Sequence, residues 1–217
     1  MHEQSSPTRR RSYQKTKRAE DEKRTRARIV DAAEELHRTL GPSRTSVSAI
    51  AEHAAVTRAT VYRHFSDEES LFLACSSQWL SRHRLPNVDA WTAHDDPLVR
   101  LRAGLTDIYR YYRSGEQMLT LIHRDAESVP PSVKANRVRA QRRWVEALLQ
   151  PFPRRSHKIL PAAIAHAAAF ETWRSLCVVQ GLSNRSAVEL MLGMVTIASP
   201  RTSTPHRPNC CRISRPR

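Results

Sequence analysis

The chain has little glycine and no long apolar segment. Glycine occurs 5 times in 217 residues, and no run of 18 apolar residues is present. Alternating β-branched and aromatic residues, which are typical of strands, are also missing, whereas Ala, Leu, Arg and Glu are abundant. These absences predict an all-α protein. They also argue against a membrane-spanning helix and a secretory signal, so we expect a cytoplasmic protein.

Cysteine is scarce and lacks the spacing of metal ligands. Cys75 and Cys177 lie in apolar helical patterns, which is typical of small buried residues. Cys210 and Cys211 are adjacent and have no Cys-x-x-Cys arrangement. Because a cytosolic compartment disfavours disulfides, these residues predict neither a disulfide framework nor a metal site. We expect no cofactor.

Patterns that carry catalysis are missing as well. The sequence shows no nucleophile–base pair, no paired carboxylates and no glycine-rich phosphate loop. The segment HRDAES begins like the catalytic loop of a protein kinase, but Pro130 stands where that loop needs asparagine. The sequence therefore predicts that the chain is not an enzyme.

Positive charge is concentrated at both ends of the chain. The formal net charge is +15; residues 1–28 carry ten Lys or Arg against four acids, and residues 200–217 carry five Arg and no acid. This balance suits a polyanionic partner, because each Lys or Arg at a phosphate releases counterions. It equally suits tails that only aid solubility. We predict a disordered basic arm over 1–18 and a disordered, basic, Pro-rich tail over 200–217.

A first amphipathic helix should begin near Ala19–Glu22 and end at Gly41-Pro42. Its apolar positions recur at helical spacing, at Ile29, Val30, Ala33, Leu36 and Leu40.

Two short capped helices are predicted next. Thr45 or Ser46 can cap the first, and Thr57 can cap the second, with Val56 and Val61 placed as a hydrophobic staple. A longer helix follows from Asp67. Short helices of this length are unstable alone, and two of them braced by a helix on either side form a helix-turn-helix.

The second short helix has one apolar side and one polar side. At 100° per residue, Val61 and Phe65 point in nearly the same direction, and Arg63 points the opposite way. The residues on the polar side or its flanks are Arg58, Ala59, Thr60, Tyr62, Arg63 and His64.

The polar side has the chemistry of a major-groove reader. Arg58 can donate two hydrogen bonds to guanine, and the Ala59 methyl can contact thymine. Other groups can donate to phosphates and fix the register, namely Thr57, Thr60, Tyr62 and His64. The alternative is a surface helix in which Tyr62 and His64 only pack against the rest of the domain.

The segments IVDAA, TSV and TVYRHF, over about residues 24–80, closely resemble the DNA-binding domain of the tetracycline-repressor (TetR) family. The resemblance implies a homodimer whose two recognition helices enter successive major grooves of a pseudo-palindromic operator. By position, Arg58 and Ala59 resemble base readers, and the hydroxyls and His64 resemble phosphate contacts. The predicted DNA-binding residues are Thr45, Ser46, Thr57, Arg58, Ala59, Thr60, Tyr62, Arg63 and His64.

Two positions depart from the family pattern. Ala55 stands in the turn where the family usually has glycine, which costs about 1 kcal/mol if the turn needs a positive φ. Glu68 stands where the family commonly has a lysine that reaches a phosphate. The basic arm at 1–18 is a candidate to compensate for the lost contact.

The pattern after residue 82 fits the variable helical domain of that family. The DNA-binding domain would cover 19–82 and a ligand-binding and dimerisation domain 83–199, joined by a linker, LPNVDAWTAHDDP. Helices near Leu160–Gln180 and Asn184–Ala198 resemble the pair that forms the dimer interface, so we expect a homodimer through residues 160–198.

Bulky residues with polar tips in this second domain are candidates for an effector pocket. For any one of them, ordinary core packing is the alternative. The candidates are Tyr109, Tyr112, Met118, Trp144, Phe170 and Trp173.

The predicted function is that of a transcriptional regulator, most often a repressor in this family, that an unknown small molecule releases from operator DNA. The alternative is a DNA-binding protein with no small-molecule ligand or with largely nonspecific binding.

Overall fold

The computed structural model describes residues 7–153 and 159–198, with side chains from Gln14 onward. Within these ranges the chain is helical and contains no strand, which confirms the all-α prediction. The predicted tail at 200–217 lies outside the described residues. The helices are α1 (Pro7–Thr39), α2 (Val47–His53), α3 (Arg58–His64), α4 (Glu68–Arg82), α5 (Val88–Thr92), α6 (Pro97–Ser114), α7 (Glu116–Arg124), α8 (Pro131–Leu149), α9 (Ile159–Ala167), α10 (Phe170–Arg174) and α11 (Asn184–Ala198).

Helix α1 begins much earlier than the sequence predicts. It starts at Pro7 rather than near Ala19–Glu22, so the prediction of a disordered arm is wrong for residues 7–18. No glycine or proline interrupts the stretch after Pro7, and its many Lys, Arg, Gln and Glu residues are good helix formers. Residues 14–22 are exposed, so this part of α1 extends beyond the packed body of the protein.

The end of α1 is as predicted, apart from one residue. The helix ends at Thr39, and Gly41 turns the chain with a φ of 90° before Pro42. Leu40, the last position of the predicted apolar stripe, is 42% exposed. Its side chain leaves the stripe because the helical turn that would carry it inward has already ended.

The two short helices form as the capping residues predict. The Ser46 hydroxyl accepts a hydrogen bond from Ala49 N–H at 3.2 Å, and the Thr57 hydroxyl accepts one from Thr60 N–H at 3.1 Å. Each bond satisfies a backbone donor that a helix start leaves free. Helices α1–α4 share one apolar cluster, which contains Ile29, Val30, Ala32, Ala33, Val47, Ile50, Ala51, Ala54, Val61, Phe65, Leu71 and Cys75.

The predicted linker contains a helix. Asn87 caps α5, and Trp91 within it is 2% exposed, with its indole N–H donating to Asp107 at 3.1 Å. Burial of so large a side chain stabilises a five-residue helix that would not form alone. The sequence did not predict α5, because the prolines on either side of it are typical of a linker.

The predicted helix over Leu160–Gln180 is broken between Ala167 and Phe170, and two tyrosines of α6 bind the chain at this break. The hydroxyls of Tyr109 and Tyr112 donate to the carbonyls of Ala167 and Ala168 at 2.9 and 2.8 Å. These two carbonyls lie where α9 ends, so the tyrosines satisfy acceptors that the break exposes. The chain then continues as α10 and a π turn through Val179.

Two kinds of feature are missing from the described ranges. None of their helices is long and apolar enough to cross a membrane. Their His, Cys, Asp and Glu side chains form no group of three that could hold a metal ion.

Candidate nucleic-acid interface and an internal cavity

Helix α3 presents the predicted side to solvent. Its apolar residues Val61 and Phe65 are 1% and 3% exposed. The residues of the opposite side are open to a partner, namely Thr57, Arg58, Ala59, Tyr62 and Arg63. The structure thus brings together five of the predicted DNA-binding residues on one free surface.

Helix α1 and the turn before α3 fix the direction of this surface. The Arg26 guanidinium lies 4.6 Å from the centre of the Phe65 ring, which secures the end of α3 against α1. Before α3, Ala55 has a φ of 52°, the left-handed conformation that glycine adopts without strain. The turn therefore has the geometry of the family pattern although its residue differs.

The hydroxyls at the start of α3 can still donate to a phosphate. The oxygens of Thr57 and Thr60 lie 3.0 Å apart. One hydroxyl donates to the other in this pair, so one proton of the two stays available. Ser46 uses its oxygen as a cap acceptor, which leaves its proton available too.

Two predicted phosphate contacts are less accessible. The Thr45 hydroxyl donates to the Gly41 carbonyl at 2.9 Å, so a phosphate would compete with that bond. Within the described ranges, His64 Nε2 is buried and has no hydrogen-bond partner. A phosphate contact from His64 therefore needs Nδ1 or a turn of the ring.

The acids after α3 belong to the start of α4. Asp67 Oδ1 accepts from Ser70 N–H at 2.6 Å, and Ser70 Oγ accepts from Asp67 N–H at 3.4 Å, which is a capping box. The bond from the Ser70 backbone, with a second from Ser66, lowers the pKa of Asp67. The carboxylate is charged at neutral pH, as the positive end of a helix favours.

The other two acids differ in their surroundings. The Glu69 carboxylate accepts a hydrogen bond from Ser132 at the start of α8. Glu68 is exposed and places a negative charge at the tip of α4. Glu68 cannot replace the lysine of the family pattern at a phosphate.

A cavity of about 690 Å³ lies between α4 and the helices α7 and α8. This volume suits a small organic molecule. Most of its lining is apolar or aromatic. Four predicted pocket residues are part of that lining: Tyr112, Met118, Trp144 and Phe170.

The other two candidates are core residues outside the lining. Tyr109 and Trp173 are both 0% exposed. The Tyr109 hydroxyl donates to the Ala167 carbonyl, and the Trp173 indole N–H donates to Asn184 at 3.0 Å. The Tyr109 hydroxyl joins α6 to the end of α9, and the Trp173 indole joins α10 to the start of α11. The structure therefore does not place these two predicted pocket residues in the lining of the cavity.

Sequence reasoning missed the part of the lining that comes from α1 and α4 and, apart from Trp144, the part that comes from α8. His37, Phe72 and Trp79 belong to helices that were assigned only to DNA binding. Arg137 was also not among the predicted lining residues, because α8 carries many other basic side chains. The lining residues of α8 recur at helical spacing, and this pattern could have indicated them: Val133, Asn136, Arg137, Ala140, Gln141, Arg143 and Trp144.

The wall formed by α1 and α4 is uncharged at neutral pH. Burial lowers the pKa of His37 to about 4, and burial raises the pKa of Cys75 to about 12. The two side chains lie 3.5 Å apart. A neutral imidazole next to a protonated thiol gives no nucleophile, so this wall contributes shape and apolar surface.

Three polar contacts join α1 and the turn after it to α7 and the turn after it. The Asp125 carboxylate accepts from Ser43 N–H at 3.1 Å. Arg124 donates to the Leu40 carbonyl at 2.7 Å, and Arg38 donates to Gln117 at 2.6 Å. These bonds connect α1, which packs against α2 and α3, to α7, which lines the cavity.

Comparisons with known proteins agree with this arrangement. Residues 29–75 match the family model described as bacterial regulatory proteins, tetR family. The chain is 33% identical over 91 residues to the HTH-type transcriptional regulator TtgR of Pseudomonas putida, a match over 42% of this chain and 43% of that protein. The chain thus spans less than half the length of this curated relative.

Two solved structures share the fold over most of the chain. NalD, the secondary repressor of the MexAB-OprM multidrug efflux pump in Pseudomonas aeruginosa, superposes with a TM-score of 0.56 at 24% identity over 84% of this chain and 99% of its own. A TetR-like transcriptional regulator from Rhodococcus sp. RHA1 gives 0.55 at 19% identity over 79% and 93%. At these identities the likeness establishes the fold.

Proposed function

Since this chain belongs to the TetR family through its N-terminal domain, we propose that it is a transcriptional regulator that binds a specific DNA sequence through α3. The observation that carries the proposal is the exposed side of α3. It combines a free arginine at the helix start, Arg58, with a small methyl at Ala59 and a second arginine at Arg63. This is the combination that direct reading of bases in a major groove requires.

A second copy of the chain would complete the reader. One α3 spans a half-site, and a two-fold dimer presents two such helices to successive major grooves. Helix α11 offers an apolar outer side for pairing, because Leu190 is 50% exposed and Ile197 is 88% exposed. Ile159 on α9 is 59% exposed. These residues support dimerisation through 160–198.

The cavity supports regulation by a small molecule. Its lining includes Phe72 and Trp79 on α4 and Met118 on α7, so an occupant would contact both the reading domain and the helices behind it. If the distance between α4 and α7 differs between two conformations, a ligand that binds one conformation more tightly shifts the equilibrium towards it. We propose that the protein is a repressor and that the ligand favours a spacing unfit for the operator, which releases the protein from DNA.

The test is selection of genomic DNA fragments by the purified full-length protein. Recovery of one pseudo-palindromic motif supports the proposal. Recovery of fragments without any shared motif would contradict it. A repressor further requires that the motif overlap promoters, and that transcription from them rise when the gene for the protein is deleted.

Binding that is largely nonspecific is the second candidate function. The net charge of +15 favours it, because a basic surface binds any duplex through counterion release. The two candidates differ in salt response. Nonspecific binding predicts that all sequences lose affinity equally as salt rises, whereas specific reading predicts that a preference between sequences survives.

A further inference from the structure

One wall of the cavity carries a positive charge without a partner. Arg137, on α8, is half-buried and lines the cavity. Among the residues that the structure describes, none accepts a hydrogen bond from its guanidinium or forms an ion pair with it. Burial lowers the pKa of Arg137 more than nearby Glu171 raises it. A partly desolvated guanidinium still keeps its proton, so this charge lacks a counterion.

The nearby acid is already engaged elsewhere. The Glu171 carboxylate accepts a hydrogen bond from His123 Nδ1 at 2.7 Å, and its side chain is 70% exposed. Water and His123 therefore satisfy most of its hydrogen-bonding capacity. Asp89, the acid among the described lining residues, is exposed on α5. Neither acid neutralises Arg137 by direct contact.

The other basic side chains of the lining contribute little charge inside the cavity. Burial lowers the pKa of His37 to about 4 and also lowers the pKa of His123. Both rings are therefore mainly neutral at pH 7. Arg143 is exposed and faces solvent as well as the cavity. One half-buried positive charge thus stands in a lining that is otherwise mostly apolar.

Aromatic rings line the same cavity as this charge. Tyr111 and Tyr112 belong to the lining together with Arg137, and their rings lie 6.0 and 6.4 Å from the Trp144 ring, each edge-on. Phe170 packs edge-on against Tyr112 at 5.3 Å. Flat apolar ligands pack well against such ring faces and edges. The Tyr112 hydroxyl is bonded to the Ala168 carbonyl, so this side of the site offers surface rather than hydrogen bonds.

We propose that the cavity binds an aromatic carboxylate, whose rings pack among Tyr112, Trp144 and Phe170 and whose anionic group pairs with Arg137. A carboxylate matches the guanidinium in shape and can accept two parallel hydrogen bonds. A phosphate dianion would need more donors than one arginine, and an organic cation would meet like charge. The inference rests on the proposed function only in taking this cavity as the effector site.

The test compares acids with their uncharged amides. Isothermal titration calorimetry with the full chain would use 2-naphthoate and 4-phenylbenzoate as probes, each against the amide of the same ring system. We expect each acid to bind about tenfold or more tightly than its amide, the usual gain from a charge-assisted hydrogen bond. Amides that bind as tightly as the acids, or acids that do not bind at all, would overturn the proposal.

Substitutions then locate the charge. Arg137→Gln should reduce the acid-to-amide ratio to about one and leave amide binding unchanged, while Arg137→Lys keeps part of the ratio because it keeps the charge. Arg142→Gln, an exposed position on the same helix outside the lining, is the matched control and should keep the full ratio. A ratio that survives in Arg137→Gln would refute the role of Arg137. Equal thermal unfolding midpoints show that the variants are folded.

Fragment selection on the same preparations separates this inference from the proposed function. If the acids bind with an Arg137-dependent ratio and no DNA motif is recovered, the regulator proposal fails and the carboxylate site stands. If a motif is recovered and the acids show no advantage over the amides, the ligand class fails and the regulator stands.

Discussion

Gly41 and Asp125 are so close that a side chain at position 41 would collide with the carboxylate: a Cβ built on Gly41 would lie 2.3 Å from Asp125 Oδ2. The same carboxylate accepts a hydrogen bond from Ser43 N–H. Bonds from Arg124 and Ser43 hold the pKa of Asp125 well below its usual range. The turn that leads into the reading helices is therefore fitted against the turn that follows α7.

Gly41→Ala should destabilise the protein by about 2–4 kcal/mol, since it adds left-handed backbone strain to the collision with Asp125. In an Asp125→Ala background the collision with the carboxylate is gone, and the end of the flexible Arg124 side chain, which lies 2.5 Å from the same built Cβ, loses its partner Asp125 and can move away. The same change should then cost mainly the backbone part, about 1–2 kcal/mol. Urea unfolding of the unchanged protein, the two single variants and the double variant measures the coupling free energy between positions 41 and 125. An equal cost in both backgrounds would show that the contact is not tight.

Ala55→Gly should stabilise the protein by about 1 kcal/mol, because Ala55 holds a φ of 52° that glycine adopts without strain. Ala27→Gly, in the exposed middle of α1, is the matched control. It should destabilise by about 1 kcal/mol, since a regular helix disfavours glycine. Thermal unfolding distinguishes the two signs, and a loss of stability in both variants would contradict the strain at Ala55.

Arg58→Ala and Tyr62→Phe should separate base reading from phosphate binding. The first removes a donor to base edges and should relax the sequence preference by about 1–3 kcal/mol at one base pair. The second removes one hydroxyl and should weaken binding to all sequences alike. Fluorescence anisotropy with operator and single-base variants measures both effects. An equal loss of preference in both variants would contradict this division of roles.

Glu68→Lys should raise affinity for every DNA sequence and steepen the salt dependence by about one unit, the contribution of one added phosphate contact. Neutralising the exposed basic residues Lys15, Lys17 and Arg18 together should flatten the dependence if the start of α1 compensates for Glu68. Glu146→Lys, at an exposed position on α8, is the control for net charge alone. A similar gain in affinity from Glu146→Lys would mean that the effect comes from net charge and not from a phosphate contact at position 68.

Ile197→Arg and Leu190→Arg should convert the proposed dimer to monomers, because a charge would be buried without a partner in the interface. Val138→Arg on α8 is the control for Leu190→Arg, because Val138 is 53% exposed and Leu190 is 50% exposed; this variant should leave the dimer intact. Light scattering after size exclusion gives the masses. Dimers that persist in both α11 variants would place the interface elsewhere.

Local patterns predicted helices α1–α4 well. Thr57 caps α3 as expected, and Val61 and Phe65 are buried as a 100° spacing requires. Capping and amphipathicity involve residues a few positions apart, so they can be read directly from the sequence. The start of α1 differs from the prediction because high charge, which is typical of disordered segments, is carried here by residues that favour a helix.

The cavity depended on contacts that the sequence does not show. Tyr109 and Tyr112 look alike in the sequence and are three residues apart, yet only Tyr112 lines the cavity. Trp91 lies in a segment whose sequence resembles a linker. In the structure it is buried, and its indole N–H donates to Asp107 on α6. Which aromatic side chains form a core and which line a space depends on how distant helices cross.

The helical fold, the capped helices α2 and α3 and the polar side of α3 can be predicted from the sequence, because each depends on neighbours within a few turns. Three other relationships appear only in the folded chain: α4 and α8 enclose a cavity, Arg137 lies in it without a counterion among the described residues, and Asp125 contacts the turn at Gly41. These three relationships join residues that are distant in the chain, and packing across the whole fold places them together.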